Sequence, residues 1–85
     1  MEIRAEPTPN PNAMKFTVGV PVGGPGTYPA GSNPDEDWVA ALLGLNGVAS
    51  VFMTADFVTI SKTPDASWDS IVPEAKAILE SHFGA

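Results

Sequence analysis

Few residues in this 85-residue chain could do chemistry. His82 is the single histidine, and cysteine is absent. The lack of thiols removes disulfides, thiolate nucleophiles, zinc–thiolate sites and cysteine-ligated iron–sulfur clusters together. His82 falls near the end of an apolar-striped segment, where attraction of a cation to a helix C-terminus accounts for it. No nucleophile stands at a spacing that would pair with it. Asp35-Glu36-Asp37 is the densest acidic run. Consecutive helical residues point in different directions, so the run fits dipole compensation in a first turn better than metal ligation. Gly23-Gly24-Pro25-Gly26 lacks the Gly-Lys-Ser/Thr ending of a phosphate loop, and proline removes a donor. No catalytic residue, metal site or cofactor is expected.

Composition narrows the partners. Ten acids against four bases give a formal charge of −6. Arg4, Lys15, Lys62 and Lys76 stand singly, so there is no basic stripe for nucleic acid or for an anionic membrane. The sequence shows no apolar run near 18 residues and no charged-then-apolar leader, which makes a cytoplasmic protein the expectation. The length sets one domain over residues 1–85.

The elements that must position any site follow from patterning. Residues 2–6 alternate as a short strand does, and Pro7-Thr8-Pro9-Asn10-Pro11-Asn12 reads as a stiff connector with Asx-turns. From Ala13 to Val20, Met14, Phe16, Val18 and Val20 share one face of a second strand, with Lys15 and Thr17 on the other. Residues 21–32, rich in Gly and Pro, predict a mobile loop. Asn33 as cap, Pro34 at the first position and the acids after it predict a helix carrying Trp38, Val39, Leu42 and Leu45. It closes at Gly44 or at Asn46-Gly47. Val48–Met53 and Asp56–Lys62 predict a hairpin turning at Thr54-Ala55, with Phe52 opposite Phe57, Val51 opposite Val58 and Ser50 opposite Thr59. Ser67 caps a last helix with an apolar stripe through Trp68, Ile71, Val72, Ala75, Ile78 and Leu79; Pro73 either disturbs its first turn or moves the regular helix to start near Val72.

The order ββαββα implies an α+β fold of two layers, a mainly antiparallel sheet with both helices on one face. The other face then meets solvent. Ala49, Val51, Val58 and Ile60 are expected inward. Ser50, Phe52, Phe57, Thr59 and Ser61 are expected outward, a polar lattice around two aromatics. Exposed aromatics on a sheet are the kind of patch that contacts another protein.

Thr8-Pro9-Asn10-Pro11-Asn12-Ala13-Met14-Lys15-Phe16 closely resembles the opening signature of the N-terminal domain of Nfu/NifU-like iron–sulfur scaffold proteins. Gly47-Val48, Val51-Phe52 and Asp56-Phe57-Val58-Thr59-Ile60 resemble that family's hairpin, and Trp68 falls where the family opens its last helix. The likeness covers almost the entire chain. It implies an α+β fold and a place in iron–sulfur cluster assembly or delivery. It also implies that the cluster belongs to a Cys-x-x-Cys pair in a separate C-terminal domain. The chain departs from the family at the first helix, with Asp37-Trp38-Val39-Ala40 where Ser-Pro-Leu-Ala is common.

Two functional readings follow. The leading one is a non-catalytic protein-interaction module that cannot itself ligate a cluster. Its contact residues would be Phe52, Phe57, Thr59, Asn10, Asn12 and Lys15, and its partners iron–sulfur apoproteins or assembly factors. It would bind no nucleic acid or membrane, as a monomer or weak homodimer. The alternative is a small-ligand-binding domain that uses the Gly/Pro loop and the head of the first helix.

Overall fold

Period-two alternation builds the sheet, and apolar stripes of period 3.6 build its cover. In the computed structural model, which describes residues 3–83, the elements run β1 (Arg4–Pro7), β2 (Ala13–Thr17), β3 (Gly26–Pro29), α1 (Asp37–Leu43), β4 (Val48–Thr54), β5 (Phe57–Lys62) and α2 (Trp68–Phe83). Glu2, at the head of the expected first strand, lies outside the described residues. The sheet order is β1-β2-β5-β4-β3, and each neighbouring pair is antiparallel. Both helices lie on one face, as the α+β two-layer reading expects. Trp38, Val39 and Leu42 of α1 and Ile71, Ala75 and Leu79 of α2 close one core with Phe16, Val51, Met53, Val58 and Ile60 of the sheet. Among the described residues no polar or charged side chain is buried.

The sheet has one strand more than expected. Gly26–Pro29 lies inside the expected mobile loop, yet it pairs with β4 from Gly26↔Met53 to Pro29↔Ser50. A seven-residue β4 with an open edge leaves backbone groups to satisfy, and Thr27-Tyr28 is a β-favouring pair that can satisfy them. Tyr28 also packs against the core and donates its hydroxyl to Glu36 Oε1 at 3.4 Å. That bond bears on α1. Glu36, with φ −78° and ψ 121°, is the N-cap, makes no side-chain capping bond, and the helix starts at Asp37. Asn33 and Pro34 therefore precede α1 and do not begin it. Gly44 closes it, donating to the Ala40 and Ala41 carbonyls at 3.0 and 3.2 Å.

The hairpin turns at Ala55-Asp56, one position later than expected. Thr54 pairs with Phe57, Met53 with Val58, Phe52 with Thr59 and Val51 with Ile60. The pairing slides by two residues, so every side chain from Ser50 onward keeps its expected face. Ala55 takes φ +51°, a conformation alanine rarely adopts. Backbone bonds to the hairpin tip hold it there: Val22 N donates to Ala55 O at 2.9 Å, and Val18 N and Gly19 N donate to Asp56 O at 2.8 and 3.2 Å. A bulge falls between Val48 and Ser50, so Val48, at 6% exposure, turns inward in place of Ala49. In α2, Ser67 Oγ accepts from Asp69 N at 3.2 Å, and the helix runs unbroken through Pro73.

Candidate functional site

Alternation sends every second strand residue to the side away from the helices. Registers align these side chains into rows across the sheet. One row runs Glu6, Lys15, Thr59, Phe52, Thr27, and the next runs Arg4, Thr17, Phe57, Thr54. Phe52 and Phe57 are diagonal neighbours across β4 and β5, a Cα spacing of roughly 7–8 Å in an antiparallel pair. Both are half-buried and neither belongs to the core cluster. The Lys15 ammonium lies 4.5 Å from the centroid of the Phe57 ring, reaching diagonally from its partner Thr59. Such a contact at an exposed site is worth about 0.5–1 kcal/mol and fixes where the charge sits. Glu6 is anchored in turn, since Thr17 Oγ1 donates to its Oε1 at 3.4 Å.

Four of the expected contact residues, Lys15, Phe52, Phe57 and Thr59, thus meet on one face. Asn10 and Asn12 do not join them. Asn10 Oδ1 accepts from Asn12 N at 2.9 Å, and Asn12 Oδ1 accepts from Lys62 Nζ at 3.0 Å. Trp68 Nε1 donates to Pro11 O at 3.0 Å, and Thr8 Oγ1 lies 3.0 Å from Ala13 O. The prolines and asparagines build a turn, which the start of α2 and the end of β5 hold in place. Patterning placed Thr17 beside Lys15 without counting it a contact residue, and it missed Arg4 and Thr27 as parts of the face. Thr27 was hidden among Gly and Pro.

Hollows also lie off this face among the described residues. A groove of about 420 Å³ between the helices is lined by Asp37, Trp38, Ile78 and His82 among others. His82 is exposed in the last turn of α2, its ring 5.9 Å from Trp38 and 4.8 Å from Phe83. A polar hollow of about 290 Å³ lies around Asn46, Thr63, Asp65 and Glu74. There the Thr63 hydroxyl holds the Asp65 carboxyl below its ordinary value. Desolvation, then the Glu36 carboxylate, raise the Tyr28 phenol. Among the described residues no group of three or more His, Asp or Glu could hold a metal ion, and no helix is long and apolar enough to cross a membrane.

The family described as scaffold protein Nfu/NifU N terminal matches residues 3–85. The chain belongs to that family. Its sequence is 42% identical over 89 residues to the NFU1 iron-sulfur cluster scaffold homolog, mitochondrial, of Drosophila erecta, and 40% identical to that of Drosophila ananassae. All of this chain is matched, and it spans 31% of the length of each relative. Among solved structures, the crystal structure of protein SAV1430 from Staphylococcus aureus superposes with a TM-score of 0.81 at 31% identity, covering 94% of this chain and 100% of that one. The solution structure of a NifU-like protein from Saccharomyces cerevisiae gives 0.73 at 27% identity, covering 98% and 78%. The relatives' names overturn one expectation. They are named as mitochondrial, so the cytoplasmic placement read from this Nfu N-terminal sequence does not stand. Organelle addresses are read by receptors and leave no mark on a folded core.

Proposed function

We propose that this Nfu N-terminal chain is a non-catalytic protein-binding module in iron–sulfur cluster assembly or delivery, docking through the outer face of its sheet. The observation that carries the reading is the clustering of Lys15, Phe52, Phe57 and Thr59 on a face that no helix among the described residues covers. Aromatic rings held clear of a core, with a fixed charge beside them, favour contact with a second protein. The cluster is cargo for other residues: the chain has no cysteine to ligate it. Because β3 takes up part of the Gly/Pro loop and three acids crowd the head of α1, the protein-binding reading is favoured over the small-ligand one.

Amide-shift mapping of the labelled chain tests this, using a purified cluster-loaded scaffold protein and a purified apo iron–sulfur recipient as titrants. Shifts concentrated on Lys15, Phe52, Phe57 and Thr59 are expected, lost in the Phe52→Ser/Phe57→Ser variant. Shifts confined to the Asn10–Asn12 turn, or to the helices, overturn the proposal.

A further inference from the structure

The described charges are unevenly shared between the two sides of the sheet. Of four bases against ten acids, Arg4 and Lys15 both stand on the outer sheet face, where Glu6 is the one acid in the two rows. The remaining described acids stand off these rows. The run Asp35–Asp37 heads α1, Asp65 precedes α2, Asp69, Glu74 and Glu80 lie on α2, and Asp56 sits at the hairpin tip. Among the described residues, a chain of formal charge −6 thus sets two bases against one acid on the face where it also shows Phe52 and Phe57. From this charge pattern we infer that the outer face takes an acidic amphipathic α-helix of a partner protein. The inference rests on the docking reading above.

The geometry gives that helix its chemistry. Aliphatic residues at i and i+4 of a helix rise about 6 Å apart, close to the spacing of a diagonal pair on a sheet. Two such residues can each cover one of Phe52 and Phe57. Glu or Asp side chains on the flanks of the helix then meet the Lys15 ammonium, already held over the Phe57 ring, and Arg4 one row away. A basic helix would bring its charge against Lys15 and Arg4. A strand would join an edge of the sheet through its backbone and leave the two rows untouched. The inner face already carries two helices, and a third on the outer face completes a three-layer stack.

The test uses two synthetic amphipathic peptides of about 15 residues, long enough for marginal helicity. They share Leu at i and i+4 positions and differ in having Glu or Lys elsewhere. The labelled full chain is titrated with each. Shifts from the Glu peptide centred on Lys15, Phe52, Phe57 and Thr59 are expected, weakening about fivefold or more in Lys15→Glu and falling with added salt. Lys15→Gln is the second variant, should charge reversal disturb the fold. Equal binding of both peptides to the sheet overturns the charge inference and leaves the docking reading standing. Glu-peptide shifts confined to the helices overturn both. Absence of shifts from either peptide overturns this inference alone, since the scaffold and recipient titrations test docking separately.

Discussion

Ala55 and Gly47 show how single backbone angles set this molecule's local stability. Ala55 sits at φ +51°, where an L side chain costs roughly 1 kcal/mol that glycine avoids. Ala55→Gly is therefore expected to raise stability by about 0.5–1 kcal/mol, read as a higher thermal midpoint. Gly47 is the reverse case. Its φ is +95°, and a Cβ built there would lie 2.5 Å from the Ala66 Cβ. Gly47→Ala should cost about 2 kcal/mol or more, from backbone strain plus overpacking, in denaturant unfolding. Asp65 adds a pH effect. Its carboxyl, bonded by Thr63, titrates below the ordinary 3.8, so its contribution is present above that value and disappears as pH falls through the lower folded one. Thr63→Val should shrink that acid-side loss, measured by unfolding at pH 3 against pH 6. Residue types were legible at this scale, but the positive φ of Ala55 was not, because contacts from Val18, Gly19 and Val22 impose it from far along the chain.

Elements were legible where their pattern was long. The β4–β5 hairpin faces, the Ser67 cap and the α2 stripe follow from periodicity, and the four-residue β3 does not, since its order comes from the edge of β4. The start of α1 was misplaced for a similar reason: strong local capping signals at Asn33 yield to a tertiary bond between Tyr28 and Glu36. The turn before β2 shows the same dependence. Its Pro-Asn pattern was readable, and its anchors, Lys62 and Trp68, lie some fifty residues away. Trp68→Phe removes the indole donor to Pro11 and should cost about 0.5–1.5 kcal/mol. The more specific reading is faster hydrogen exchange at the Asn12 and Ala13 amides, whose acceptors belong to Asn10. Unchanged exchange there would mean that the turn stands without its anchor.

At the scale of the whole molecule, the two sides of the sheet do different work. The inner side holds the fold, so a change on the outer side should spare it. Phe52→Ser/Phe57→Ser is expected to unfold cooperatively near the parent's midpoint, because neither ring belongs to the core. Truncating a core phenylalanine such as Phe16 should instead cost about 3–5 kcal/mol, a large share of what so small a domain possesses. Anaerobic reconstitution of the isolated chain with iron and sulfide should leave no stable visible chromophore. A chromophore at near-stoichiometric yield would refute the assignment of the cluster to other residues.

Both lateral strands, β1 and β3, are four residues long and end in proline, at Pro7 and Pro29. Proline has no N–H to offer a ladder, and a short strand offers little template for growth. The rims of the sheet are therefore poor seeds for open-ended stacking of one copy on the next. Pro7→Val and Pro29→Val should each lengthen a pairing-competent rim and hasten fibril-like aggregation on mild heating, with little change in the folded core. Closed rims leave the broad face as the side to which the docking proposed above is directed.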